Sequence, residues 1–146
     1  MSKVLKIISR IVIAITLFLF GGEVYVALEM ICRGYSHYSM FIVGGLCFLI
    51  IGSLNEWNKK DMSLVKQGII GAIVITTLEF ITGCIVNLWL GLDVWDYSDM
   101  PFNVLGQICL PFTVLWFFAS LICVFVNDFL LVMWGVKKEL PKYHIL

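Results

Sequence analysis

Trp95-Asp96-Tyr97-Ser98-Asp99-Met100-Pro101-Phe102-Asn103-Val104-Leu105-Gly106-Gln107-Ile108-Cys109-Leu110 is a polar and aromatic stretch set between two long apolar runs. The run before it, 67–90, and the run after it, 104–126, each reach the ~20 mostly apolar residues that carry a helix across a bilayer. A stretch placed in this way is a loop at one membrane face, with the chain leaving the membrane ahead of it and re-entering behind it.

Working outward, two further apolar segments precede this pair, at 7–32 and 36–54. The apolar part of the second, 40–54, is short for a crossing, so its helix starts earlier, near Ser36, or lies where the bilayer thins. The expected fold class is an all-α polytopic transmembrane bundle of four spans, with 1–146 forming one integral membrane domain. Composition agrees: 61% of the residues are hydrophobic and 14% charged, and the mean hydropathy is +1.00. Soluble domains carry about 25% charged residues. The length of 146 residues leaves no room for a separate soluble catalytic domain. A formal net charge of +0 argues against nucleic acid as a partner.

Orientation follows from basic residues, which are retained on the cytoplasmic side of short loops. Under a four-span reading, Lys3, Lys6, Arg10, Lys59, Lys60, Lys66, Lys137, Lys138 and Lys142 share one face, and Arg33 alone lies on the other. Both termini are therefore expected inside. Trp57 and Trp134 then mark the inner interface, and Trp89 and Trp95 the outer one. The N-terminal run reads as a retained first span rather than a cleaved signal, since it carries Glu23 and Glu29 and lacks a small-x-small site. Asn127-Asp128 interrupts the last apolar stretch, and 127–146 reads as a cytoplasmic or interfacial tail, or as the end of a long tilted helix.

Several chemistries lack their residues. Cys32, Cys47, Cys84, Cys109 and Cys123 stand singly, without the spacing of a metal site or a complete disulfide framework, and read as small apolar packing residues. No cofactor is implied. No phosphate-binding G-x-x-x-x-G-K-[ST] loop is present, so an ATPase, if one drives the protein, is a separate chain. Ser39 and Ser98 lie near His37, Asp96 and Asp99 in loops, but sequence proximity does not make a catalytic triad. Asp93, Asp96 and Asp99 lack the glycine and glutamate positions of a calcium loop.

The polar residues inside spans carry more information. Glu79 lies about 20 Å beyond Lys66 along a helix, well within the hydrocarbon. A carboxylate there is protonated, paired or turned toward a polar cavity. Thr76, Gly83 and Asn87 fall near the same helix face. Two readings stand side by side: a buried proton or ligand site, and a neutral carboxyl that locks helices together. Glu29 has Arg33 four residues on and pairs with it near the outer surface. Gly68, Ala72 and Thr76 form a small-residue stripe suited to close helix packing, as do Gly44, Gly45 and Gly52. Asn103 is placed to cap the following helix, with Gln107 and Pro111 in its first turns. Leu28-Glu29, Tyr38-Ser39 and Gly44-x-x-Cys47 return in order as Leu78-Glu79, Tyr97-Ser98 and Gly106-x-x-Cys109, the pattern of a parallel two-helix duplication.

Arg33-Gly34-Tyr35-Ser36-His37-Tyr38-Ser39-Met40, Gly44-Gly45-Leu46-Cys47, Leu54-Asn55-Glu56, Trp95-Asp96-Tyr97-Ser98 and Asn103-x-x-Gly106-Gln107-Ile108-Cys109-Leu110-Pro111-Phe112 resemble the CmpB-like family of small bacterial membrane proteins, catalogued as ABC-transporter type IV or ABC-transporter permease. The resemblance implies a multi-pass protein of the bacterial plasma membrane. Four spans enclose little volume, so a homo-oligomer or a partner membrane subunit is expected. The leading expectation is a transport-related subunit with an outward-facing polar pocket lined by Glu29, Arg33, Ser36, His37, Ser39, Glu79, Asn87, Trp95, Asp96, Tyr97, Ser98, Asn103 and Gln107. A non-transporting structural or regulatory membrane protein is the alternative. A membrane-embedded enzyme acting on lipid head groups through His37 or the Asp96 loop is the third.

Overall fold

The computed structural model describes residues 3–57 and 62–146; the expected inner-face charges Lys59 and Lys60 lie outside the described residues, as does the side chain of Trp57. The described residues are helical without strands, in the order α1 (Lys3–Arg33), α2 (Tyr38–Gly52), α3 (Leu54–Trp57), α4 (Leu64–Gly83), a π-helical segment (Cys84–Trp89) and α5 (Leu110–Met133). Among the described residues, four stretches are long and apolar enough to cross a membrane: Lys3–Arg33, Tyr38–Glu56, Leu64–Trp89 and Leu110–Met133. The chain divides into two compact units, Met1–Leu49 and Ile50–Leu146.

In the first unit, glycines let α1 and α2 approach closely. A Cβ added at Gly21 would lie 2.3 Å from Phe48 Cβ, and one at Gly45 would lie 2.6 Å from the Phe18 ring. Phe18 and Phe20 meet Phe41 and Phe48 edge-on, with ring centroids 5.9 Å and 5.3 Å apart. Small residues on one helix and aromatic rings on the other make the dispersion contacts that hold helices together where water cannot. At the start of α2, His37 Nδ1 accepts from the Ser39 backbone N–H at 3.3 Å, which satisfies one orphan donor of that helix.

In the second unit, α4 packs along α5. Gly71 is the tightest contact, since a Cβ there would fall 2.2 Å from Ser120 Oγ, and Gly68 lies under the Phe117 ring. The Ser120 hydroxyl is itself satisfied, donating to the Trp116 carbonyl at 2.7 Å. Thr76 donates to Thr113 Oγ1 at 3.2 Å, so the small-residue side of α4 does face a neighbouring helix. After Gly83 the chain widens into π geometry, and Leu90 N–H reaches back five residues to the Ile85 carbonyl at 2.9 Å.

The last helix differs from its expected span at both ends. It starts at Leu110 rather than near residue 104, because Phe102, Leu105 and Gly106 hold left-handed backbone and Val104 pairs with Ile108 across a small turn. Pro111, in the first turn of α5, has no N–H to leave unsatisfied there. Asn103 therefore caps no helix. At the other end α5 continues to Met133 through Asn127 and Asp128, which are 2% and 0% exposed. Both side chains are satisfied inside the unit, Asn127 donating to the Gly52 carbonyl at 2.7 Å, so they do not break the helix.

Candidate functional site

Three parts of the second unit meet at Glu79. The residue lies in the last turn and a half of α4 and is 2% exposed. Its Oε1 accepts from the Tyr97 hydroxyl at 2.9 Å, and its Oε2 accepts from Trp116 Nε1 at 2.9 Å. Tyr97 comes from the loop and Trp116 from α5. The Tyr97 ring stacks on Phe112 with centroids 4.7 Å apart, and Phe112 leans toward Trp116 at 6.0 Å. A carboxyl group on a membrane-length helix is thus flanked by aromatic side chains, and the Tyr97 and Trp116 donors to it are neutral. From residue 67 to residue 136 the chain contains no Lys, Arg or His.

Immediately beyond, a buried amide network fixes the loop that supplies Tyr97. Asn87 Nδ2 donates to the Trp95 carbonyl at 3.0 Å and to Gln107 Oε1 at 2.7 Å, while Asn87 Oδ1 accepts from Val94 N–H at 2.7 Å. Trp95 Nε1 donates to the Gln107 carbonyl at 3.0 Å. These groups are buried, and unpaired amides there would each cost about 1–3 kcal/mol. Gly83 packs closely beside them: a Cβ there would fall 2.5 Å from Gln107 Oε1, so the Gln107 amide would have to shift.

The outer part of the loop is exposed and self-satisfied. Asp96 Oδ1 accepts from Ser98 N–H at 2.8 Å and from Ser98 Oγ at 2.5 Å, which holds the Asp96 carboxyl below its ordinary pKa of 3.8. Asn103 Nδ2 donates to the carbonyls of Ser98 and Met100, and Asn103 Oδ1 accepts from Gly106 N–H at 3.1 Å. Tyr97 N–H donates to the Gly106 carbonyl at 2.7 Å. Asp96, Ser98 and Asn103 therefore shape the loop around Tyr97, with Asn103 closing a turn where the sequence reads as a helix cap.

The remaining expected residues belong to the first unit. Glu29 pairs with Arg33 and accepts from Ser36 Oγ at 2.5 Å. Arg33 also lies over the Tyr35 ring, 4.7 Å from its centroid. His37 Nδ1 and Ser39 Oγ are 2.8 Å apart. Glu29, Arg33 and Ser36 are thus one group and His37 and Ser39 another, while Glu79, Asn87, Trp95, Asp96, Tyr97, Ser98, Asn103 and Gln107 are assembled in the second unit.

A family model described as "Putative ABC-transporter type IV" matches residues 23–143. The chain belongs to this family. No curated protein and no solved structure matches it. The matched residues of this ABC-transporter type IV chain take in Glu29, Glu79 and the whole loop between α4 and α5.

The match also takes in a second polar centre that reading the sequence missed. Asp128, with no exposed surface, accepts from Asn55 Nδ2 at 2.8 Å, Tyr143 Oη at 2.8 Å and Lys137 Nζ at 2.5 Å. Lys137 also pairs with Glu56. Gln67 Nε2 extends the chain of bonds, donating to Asn55 Oδ1 at 2.9 Å. Burial works against the Lys137 charge, but the hydrogen bonds and charges of Asp128 and Glu56 outweigh it and raise its pKa above 10.5. Burial, then the Asp128 hydrogen bond and charge, push the Tyr143 hydroxyl well above its ordinary 10.0. The tail is bound back elsewhere too, with Leu64 N–H donating to the His144 carbonyl at 2.9 Å. The available signal was an acidic residue in an apolar run with a lysine nine residues on, a spacing that no single helix turn explains. Trp116 carried a weaker signal: an indole N–H in a span needs an acceptor.

Proposed function

We propose that this chain is the membrane subunit of a transport system, permease-like and without its own ATPase, in which Glu79 is the working polar group. The observation that carries this reading is the carboxyl group of Glu79, 2% exposed on a membrane-length helix and held between a loop hydroxyl and an indole N–H. Ionisable residues inside spans are expensive and mark solute or proton pathways. Family membership supports the transport setting. The loop carrying Tyr97, with Asp96, Ser98 and Asn103, forms the entrance to this group, and Asn87, Trp95 and Gln107 keep it in place. On the first unit, Glu29, Arg33 and Ser36 form one polar group and His37 and Ser39 another.

The excess of basic residues at the α1 start, the α4 start and the tail supports a topology with both termini inside. Parallel duplication gains support from the two carboxylates, since Glu29 and Glu79 each accept from a hydroxyl of the loop that follows their helix. Association with a second copy or a partner membrane subunit is supported by Glu23. It is exposed, and at ten residues before Arg33 it lies about 15 Å deep, near the middle of a ~30 Å hydrocarbon layer. A carboxyl facing lipid at that depth calls for a covering chain.

Reconstitution in lipid vesicles tests the reading. The wild-type chain, with its ATPase where one is required, moves solute or proton. Glu79→Gln inserts and folds but loses that flux. Vesicles that move neither, or a Glu79→Gln variant with full flux, count against it.

A further inference from the structure

We infer that the species exchanged at Glu79 is a proton, and that the Tyr97 hydroxyl is the positioning group that allows Glu79 to be satisfied both with and without it. The inference deepens the transport reading and takes from it only that Glu79 is a working group.

Space decides against larger cations. The carboxyl is 2% exposed, and each of its oxygens already receives a donor at 2.9 Å. A hydrated metal ion or an organic ammonium needs contact surface on the carboxylate; a proton needs none. Charge points the same way. The two donors are neutral, so they solvate a negative carboxylate without cancelling its charge, whereas uptake of a proton cancels it. Among the described residues of this unit, Tyr97 from the loop and Trp116 from α5 donate to Glu79, and of these two only Tyr97 titrates. On its own helix the residues one turn away are Ile75, Thr76, Thr82 and Gly83, none of them charged.

The two donors differ in what they can do. An indole N–H only donates, so Oε2 is held as an acceptor in both charge states. A phenol hydroxyl donates or accepts by rotating its hydrogen. In the ionised state Tyr97 donates to Oε1; when a proton from water is taken up on Oε1, the hydroxyl turns and accepts from it. No bond other than O–H forms or breaks, and no buried oxygen is left without a partner in either state. The stacking of Tyr97 on Phe112 and its backbone bond to Gly106 keep the phenol in place while the hydrogen turns. Removing the hydroxyl strips both states of a hydrogen bond. The effect is therefore seen in the hydrogen bonding of the acid rather than in binding of a ligand.

Infrared difference spectroscopy on the full chain in lipid vesicles, stepped between alkaline and acidic buffer, reads this directly. The expected result is a protonated-carboxyl C=O band that appears on acidification and is absent from Glu79→Gln. In Tyr97→Phe the band persists but moves to higher frequency, because the acid O–H has lost the Tyr97 acceptor; in Trp116→Phe its C=O loses a donor and the band shifts by a separate amount. Ring-deuterated tyrosine in the wild-type chain gives a second readout independent of any variant, since the phenol C–O band shifts with the carboxyl band. The proposal is overturned if no glutamate carboxyl titrates, or if Tyr97→Phe leaves the band unmoved. Solute flux without a titrating band overturns the proton and leaves the transport reading; a titrating, Tyr97-dependent band without flux does the reverse.

Discussion

The indole nitrogen of Trp116 lies 2.9 Å from Oε2 of Glu79, 37 residues earlier in the chain, and so ties α5 to α4 at a carboxyl group between two membrane-length helices. The bond links the packing of two helices to the state of one ionisable residue. Trp116→Phe keeps most of the ring's apolar area and removes the donor. The expected loss of stability is about 1–3 kcal/mol, the cost of taking a hydrogen-bond donor from a buried acceptor. Denaturant unfolding in mild detergent measures it. A variant as stable as wild type would show that the bond contributes nothing to folding.

The tail is held by a buried carboxylate, and breaking that contact is costly. Lys137→Met leaves Asp128 without its cation, and the expected loss is about 3 kcal/mol, the lower end for a broken buried pair. The lower end applies because the Lys137 side chain is 18% exposed. Adding Asp128→Asn to Lys137→Met restores part of that loss, because no unpaired charge remains. A double variant less stable than Lys137→Met alone would contradict this account.

Alkali acts on the same contact. The folded pKa values of Lys137 and Tyr143 are raised above their ordinary 10.5 and 10.0. Groups with raised folded values contribute stability that is complete below the ordinary value and is lost as pH climbs through the folded one. Docking of the tail is thus constant through neutral pH and weakens only above pH 10.0 to 10.5. A spin label at position 144 reports it; mobility that rises already near neutrality would contradict the assignment.

Glu23 tests association. Glu23→Leu removes an exposed carboxyl from the middle of α1 and weakens assembly with a second copy or partner, read as loss of cross-linked species in native membranes. Undiminished cross-linking would contradict association through Glu23.

Topology has its own check. With the exposed native thiol of Cys32 and the other native cysteines replaced by alanine, a membrane-impermeant thiol reagent added outside whole cells labels Asp99→Cys and not Lys142→Cys. The opposite pattern would invert the molecule.

Hydrophobic run length was enough to find four membrane-length helices, because the need to satisfy every backbone group in hydrocarbon leaves few alternatives. Glu79 was legible for the same reason: a carboxyl in a span is costly enough to stand out. Its partners were not. Tyr97 and Trp116 lie 18 and 37 residues away, and which loop hydroxyl or indole reaches the carboxyl depends on the π-helical segment and on the turn at Asn103. Neither is set by hydropathy. The start of α5 was misplaced because non-glycine residues Phe102 and Leu105 adopt left-handed backbone, which their side chains do not announce. Asn127-Asp128 read as an interruption because the groups satisfying it, Gly52, Asn55, Lys137 and Tyr143, come from both sides of it in the chain.

The central claim is that Glu79 works rather than merely holds helices together, and one comparison tests it most directly. Wild-type and Glu79→Gln chains, matched for insertion and thermal stability, are reconstituted with a pH-sensitive dye trapped inside the vesicles. Proton movement on an imposed gradient is then recorded. The account predicts dye response in the wild type and none in Glu79→Gln at equal stability; equal response from both chains would contradict it.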